Sequence, residues 1–433
     1  MTTTETHRAI ETVWKIESAR VIAGLTRLVH DVGVAEELAQ DALVAALEQW
    51  PESGIPRNPG AWLMTSAKHR AIDYFRRNSM VDRKHEMLGR ELAEREKEIP
   101  DLAAAMDNAN ADTINDDLLR LIFIACHPVL STEARVALTL RLLGGLTTGE
   151  IARAYLVAEP AIAQRIVRAK RTLAEAHVPF EVPRGAEFTA RLSSVLQVIY
   201  LIFNEGYSAS SGDHWMRTDL CEDALRLGRI LTELVPGEPE VHGLVALMEI
   251  QASRTKARVG PSGEPILLMD QDRAQWDRLL IQRGLAALDR AERLGGEDHG
   301  HGPYAIQAAI AACHARAATP AETDWARIVA LYSELSEVAP SPVVDLNRAV
   351  AVGMASGPRA GLTMIDSLRD DPALREYHLL PSVRGDLLEK LGRFQEARAE
   401  FERAASMTGN QRERHLLIER AQACSDKLNR GID

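Results

Sequence analysis

The chain has 433 residues, 51 Lys and Arg against 62 Asp and Glu, and 46% hydrophobic residues with only 5% aromatics. It is too long for one comfortable core, too apolar for a disordered chain, and its dominance by Ala and Leu suits packed helices better than sheets. A net charge of -11 argues by itself against nucleic acid as a partner, and four scattered cysteines (Cys126, Cys221, Cys313, Cys424) give no CxxC pair and no zinc spacing.

Those cysteines read as buried thiols of a reducing compartment. No basic start followed by an apolar run marks a signal peptide. The longest apolar stretch, near Leu118 to Leu130, is broken by Arg120, His127 and Pro128 and is too short for a bilayer. The expectation is a cytoplasmic chain that touches no membrane.

Residues 8–79 read as helices. In VAEELAQDALVAALEQW, Val34, Leu38, Ala42, Ala45 and Ala46 fall at helical spacing, with acids gathered at the start. PESGIPRNPG is a Pro/Gly loop. AWLMTSAKHRAIDYFRRN resumes a helix, with Trp62, Leu63, Ala67, Ala71 and Tyr74 as inward positions. Trp62 fits either the core or a stack on a base, and Tyr74 and Phe75 share that ambiguity.

Charge is unevenly spread. Arg57 to Lys84 holds seven bases against Asp73 and Asp82, a surplus of +5, whereas Glu86 to Asp117 holds ten acids against three bases, net -7. The stretch 80–115 therefore reads as a solvated linker, with a frayed helix around Leu88 to Lys97. Helices resume at Asp116. DDLLRLIFIACHPVL and STEARVALTLRLLGGL make two, the second capped by Ser131 and stopped by Gly144 and Gly145.

GGLTTGEIARAYLVAEPAIAQRIVRAKRTL then concentrates Arg153, Arg165, Arg168, Lys170 and Arg171 against only Glu150 and Glu159. Ile151, Ala152 and Tyr155 line one face of a first short helix. Ile162, Ile166, Ala169 and Leu173 line a second. Two such helices across so short a turn form a helix-turn-helix. Ala161, Gln164, Arg165 and Arg168 then face outward on a helix that opens with Pro160, small and polar at the start and basic toward the end, as a major-groove helix requires. The bland alternative is a surface helix whose basic end complements its dipole.

VPFEVP breaks the pattern at Val178 to Pro183. From Arg191 the chain is helical and, after Phe180, carries 29 bases and 37 acids, net -8. Toward its end, LNRAVAVGMASGPRAGLTMID and SVRGDLLEKLGRFQEARAEFERA each read helix, Gly turn, helix, with Gly357 and Gly392 35 residues apart. That period points to a tetratricopeptide-type array over about 322–425. Asp298, His299 and His301 lie close together, but a Gly-rich loop with incidental histidines explains them better than a metal site. No Walker or dinucleotide loop, no assembled nucleophile, and so no enzyme, cofactor or metal, is expected.

Three pieces in order carry a family resemblance. DVGVAEELAQDALVAALEQW is similar to the polymerase-binding segment of extracytoplasmic-function sigma factors of bacterial RNA polymerase. NPGAWLMTSAKHRAIDYFRR resembles the segment that opens and reads the −10 element. LTTGEIARAYLVAEPAIAQRIVRAKRTL is similar to the −35-reading helix-turn-helix. SVLQVIYLIFNEGYSAS and GPYAIQAAIAACHA resemble the extension of a subgroup with a fused tetratricopeptide-like domain. Three departures stand out: Leu156 replaces a usual turn Gly, Pro160 and Ala161 a common Gly-Thr, and His69 a common Asn.

The resemblance implies an all-α chain. Residues 1–85 would be sigma region 2, 86–115 the acidic linker, 116–180 sigma region 4 and 181–433 a regulatory extension. It implies core RNA polymerase and promoter DNA as partners, with a regulatory protein or peptide on the repeats. Glu36, Glu37, Leu38, Gln40 and Asp41 would dock on the polymerase. Lys68, Arg70, Arg76 and Arg77 would hold phosphates, and His69 and Asp73, with Trp62 beside them, would meet exposed bases. Thr148, Pro160, Ala161, Gln164, Arg165, Arg168, Lys170 and Arg171 would engage the −35 element. Two competing readings are a stand-alone helix-turn-helix regulator with a helical-repeat sensor, and a helical adaptor with a vestigial N-terminal part.

Overall fold

A computed structural model of the chain describes residues 3–82, 111–261, 263–296 and 301–430. Among them the fold is all-α, with eighteen α-helices and two strands of two residues each. The chain divides into two compact units, Met1–Ile199 and Tyr200–Asp433.

In the first unit, α1 (Thr3–Val29), α2 (Val32–Ser53) and α3 (Pro59–Asp82) pack on one another. The Asp31 carboxylate caps α2, accepting from the Val34 amide at 2.9 Å. The inward stripe of α2 is Ala35, Leu38, Ala39, Ala42, Ala45, Ala46 and Trp50, while Val34 is only half-buried. Contrary to the expected loop, α2 continues through Pro51 and ends at Gly54 (φ 82). Trp50 holds that last turn: its buried ring meets Trp62 edge to face, with centroids 5.3 Å apart. Leu63, Ala67 and Ala71 of α3 are buried as their spacing predicts.

Next come α4 (Ala111–Ala125), α5 (Thr132–Leu142), α6 (Thr148–Tyr155) and α7 (Glu159–Glu175). Helix α4 begins before the linker was expected to end, and the frayed helix at 88–97 lies outside the described residues. Ser131 caps α5 through the Ala134 amide at 3.3 Å. Phe123, Leu121, Leu138, Leu140 and Leu142 fill the core, each side chain contributing roughly 1.5–3 kcal/mol on burial. Helix α8 (Ala186–Tyr207) follows the break, and Arg191 at its start is buried, donating to the Phe123 carbonyl at 3.0 Å. By length and composition α8 could cross a membrane, and half of its apolar window is buried inside the protein.

The second unit adds α9 (Thr218–Leu234), α10 (Pro239–Ala252), α11 (Arg278–Gly295), α12 (Pro303–Arg316), α13 (Trp325–Val338), α14 (Pro342–Ser356), α15 (Pro358–Leu368), α16 (Leu379–Lys390), α17 (Phe394–Met407) and α18 (Gln411–Arg430). From α12 on, each helix packs on the next. Gly357 (φ 97) and Gly392 (φ 73) make the turns before α15 and α17, positions where a Cβ would strain the backbone. One core gathers Leu346, Ile365, Leu388, Phe401 and Ala404; another gathers Ile306, Ile328, Leu331 and Leu335. Ser211–Gly212 pairs in parallel with Gly409–Asn410, and buried Asn410 donates to the Ala209 and His214 carbonyls at 3.0 and 2.9 Å. Between α10 and α11, Arg258 stacks 3.5 Å from the Tyr207 ring centre, and Arg273 sits 5.1 Å from that of Trp276. Burial pushes the Cys126 and Cys221 thiols up to about 11 and about 12.

Candidate nucleic-acid interface

Helices α6 and α7 build the basic module. Thr147 and Glu150 form a reciprocal capping box: the Glu150 amide donates to Thr147 Oγ1 at 3.1 Å, and the Thr147 amide donates to Glu150 Oε2 at 2.8 Å. Burial would raise the Glu150 carboxyl, but the Thr147 hydrogen bonds and the Lys15 charge outweigh it and hold the group below its ordinary range. Ile151 and Ala152 of α6 and Ile162, Ile166, Ala169 and Leu173 of α7 are buried, whereas Tyr155 is half-buried. The turn closes on Leu156 in the left-handed region (φ 52, ψ 40). This is the position where the resembled family usually has glycine.

Burying Ile162 and Ile166 turns the other face of α7 outward. Pro160, Ala161, Gln164, Arg168 and Arg171 are exposed, and Arg165 is half-exposed. Thr148 instead reaches across the turn, donating to Glu159 at 3.1 Å. Arg171 pairs with Glu175 at 2.6 Å on the surface. The outward residues are small and polar near the N-terminal end and cationic further along, able to approach base edges first and phosphates after.

On α3, His69, Asp73 and Arg76 are exposed, and Arg70 donates to Ser66 Oγ at 2.7 Å. Asp73 and Arg76 stand 3.9 Å apart. Lys68 departs from the phosphate-facing expectation: it is buried, because it lies on the same face as Ala67 and Ala71. The Arg77 side chain lies outside the described residues. Trp62 is half-buried against Trp50, and Tyr74 and Phe75 meet edge to face, with centroids 5.8 Å apart.

Helix α2 splits its expected docking residues between two faces. Glu37 and Asp41 are exposed, Gln40 is half-buried, and Leu38 is in the core. Val44 and Glu48 extend the exposed stripe at helical spacing, and Val44 is 51% exposed. Glu36 is different. It is 3% exposed and enclosed by cations from α5 and α7. Arg141 Nε lies 2.5 Å from its Oε1, and Lys170 binds Oε2. Gln40 donates to Oε1 at 2.5 Å. The structure thus unites Glu36 with Lys170, two residues expected to bind different partners.

Arg141 was not among the expected functional residues. The signal for it was Glu36 itself, a carboxylate beside Ala35 and Ala39 on the inward face, which a buried position forces into cationic company. Three more features cross between α1 and the helices after residue 110. Arg27 pairs with Asp117 at 3.3 Å, and Lys15 with Glu150 at 3.6 Å. Burial raises the Asp117 carboxyl despite Arg27 and Arg120 beside it. Gly145 (φ 71) lies so near α1 that a Cβ would sit 3.2 Å from the Lys15 Cα.

Among the described residues, no group of three or more His, Cys, Asp or Glu side chains is placed to hold a metal. His301 meets Glu334 at 3.2 Å, while Asp298 and His299 lie outside the described residues.

Comparison with known proteins agrees with this geometry. Residues 17–80 match Sigma-70 region 2, and residues 120–173 match Sigma-70, region 4. Residues 191–292 match a family of unknown function, DUF6596. An uncharacterized protein of Rhizobium meliloti (strain 1021) is 44% identical over 392 residues, covering 90% of each chain. No solved structure matches. The exposed helix-turn-helix falls within the region 4 match except for the last two residues of α7, and α2 and α3 within the region 2 match except for the last two of α3. The chain therefore carries regions 2 and 4 of the sigma-70 family, followed by a stretch that matches a family of unknown function.

Proposed function

We propose that this sigma-70 family chain binds core RNA polymerase, reads a −35 element with α7 and a −10 element with α3, and helps separate the strands. The reaction itself stays with the polymerase; this chain recognises and opens. The observation that carries the reading is the outward face of α7, with Gln164, Arg165 and Arg168 opposite buried Ile162 and Ile166. In this reading Gln164 and Ala161 meet base edges, while Arg165, Arg168, Lys170 and Arg171 neutralise phosphates.

On α3, Arg70, Arg76 and Arg77 hold the backbone near the melted strands, and His69 and Asp73 contact an exposed base. The polymerase docks on the outward stripe of α2, Glu37, Asp41, Val44 and Glu48, with Gln40 at its edge. Residues 181–433 act as a regulatory domain whose last helices, about 322–425, form a tetratricopeptide-like array open to a protein or peptide. Support for the array is the run of sequentially packed helices with Gly357 and Gly392 at successive turns.

Pull-down of core polymerase by the full chain tests the docking surface. Glu37→Lys with Asp41→Lys abolishes capture and leaves binding to a −35 duplex at low salt intact. Retained capture contradicts the assignment and favours a stand-alone DNA-binding regulator.

A further inference from the structure

Five arginines are buried among the described residues, and three of them have no carboxylate. Arg191 and Arg384 are paired, with Glu187 at 3.4 Å and Glu400 at 2.7 Å. Arg254, Arg258 and Arg273 are 7%, 7% and 6% exposed, and among the described residues none of them forms an ion pair. All three belong to the connection between α10 and α11, inside the stretch that matches the family of unknown function. A charge taken out of water is costly unless a counter-charge and hydrogen bonds meet it. Three such charges gathered in one connection therefore call for an anion that the described residues do not supply.

Rings, not acids, hold the cluster. Arg258 stacks on Tyr207, and the Trp215 ring centre lies 5.6 Å away. Arg254 stands 5.8 Å from the ring centres of both Tyr207 and Trp276, so it shares a ring with each of the other two arginines. Arg273 is anchored: it donates to the His314 and Ala317 carbonyls at 2.9 and 2.6 Å and to Thr323 Oγ1 at 3.1 Å. Arg254 Nε, Arg258 Nη1 and Trp276 Nε1 are buried donors that find no acceptor within the described residues. Glu322, whose charge reaches Arg273, is exposed and accepts from Thr319 at 3.0 Å. Contact with a ring face offsets part of the lost hydration but neutralises no charge. Burial lowers the pKa of Arg258 and of Arg273, and the Arg254 charge pushes both the same way, as like charges held close together do.

We propose that Arg254 and Arg258, with Arg273 behind them, form an anion site in the second unit that takes a phosphoryl group, free or carried on a small molecule. Three fixed cations exceed what a single carboxylate offsets. A phosphate brings close to two negative charges at neutral pH and several acceptor oxygens, and guanidinium forks match its geometry. The orphaned donors of Arg254, Arg258 and Trp276 are what such an oxyanion accepts from. Burial of the cluster keeps a macromolecular surface away and selects a small ligand. The site gives the second unit a chemical input of its own, and it stands apart from the promoter-reading assignments of α2, α3 and α7.

The test is thermal unfolding of the full chain in phosphate-free buffer, with sodium phosphate or sodium chloride added at equal ionic strength. About 10 mM phosphate raises the wild-type melting temperature by about 3 °C or more and slows hydrogen exchange in peptides carrying Arg254 and Arg258, while chloride does neither. Arg254→Gln removes the unpaired charge and keeps most of the side-chain volume. It melts higher than the wild type without phosphate and loses the phosphate shift. Absence of a wild-type shift at that concentration overturns the site. So does a shift that Arg254→Gln keeps in full, because the anion is then bound elsewhere. Should Arg254→Gln fail to fold, Arg258→Lys keeps the charge and loses the fork: its phosphate affinity falls at least about fivefold, and an unchanged affinity overturns the site. Phosphoserine used in place of inorganic phosphate separates the two sources: the larger shift marks the form the site takes, and a shift from neither overturns it.

Discussion

Leu156 holds a left-handed backbone (φ 52) at the turn of the helix-turn-helix and leaves its side chain 53% exposed. A Cβ in that conformation costs about 1–2 kcal/mol. Leu156→Gly therefore stabilises the first unit by about 1 kcal/mol in thermal melts, since the relief exceeds the added flexibility of the unfolded chain. Gly145→Ala does the reverse: it adds a Cβ at φ 71 and 3.2 Å from the Lys15 Cα, for a loss of about 2 kcal/mol or more. In the second unit His314 is buried, and burial followed by the charges of Arg254 and Arg273 lowers its pKa to about 4. The unfolded chain takes up a proton near pH 6.5 that the folded chain refuses until about 4. Stability is thus fully present above pH 6.5 and falls as pH drops toward 4, by up to ~3 kcal/mol from this group. Urea melts at pH 7.5 and 5 show the loss, and His314→Gln shows less of it.

At the scale of elements, α7 begins on Ala158, which offers no side-chain cap. Ala158→Ser supplies one and adds about 1 kcal/mol. Arg165→Ala and Arg168→Ala leave the fold intact and weaken binding to a −35 duplex, each reducing the salt slope by about 1. The helices, their inward stripes and the helix-turn-helix were legible because small aliphatic residues recur there with helical period. Ile162, Ile166, Ala169 and Leu173 were placed correctly for that reason. Periodicity was silent on the rest. Lys68 follows Ala67 onto the inward face, and its charge gave no warning of burial. Glu36 was read as an outward acid because its partners, Arg141 and Lys170, lie more than a hundred residues away. The arginine and aromatic cluster of Arg254, Arg258, Tyr207 and Trp276 was equally hidden, because Arg254, Arg258 and Trp276 lie outside the α-helices, on segments that have no helical period.

At the scale of the whole molecule, the chain pairs promoter-recognition regions with an extension matched in part by a family of unknown function. That extension is acidic, with 29 bases and 37 acids after Phe180. A regulatory role within the chain predicts that truncation after Phe180 changes promoter output or polymerase affinity; an unchanged value of both removes that role. The central claim is that this chain delivers core polymerase to a promoter through α2, α3 and α7. Run-off transcription with purified core RNA polymerase, on DNA taken from upstream of the chain's own gene, tests it most directly. The account predicts a discrete transcript that requires the chain and is lost when Arg165 and Arg168 are both replaced by Ala. A transcript that forms equally well without the chain, or none when the chain and polymerase are together, would contradict it.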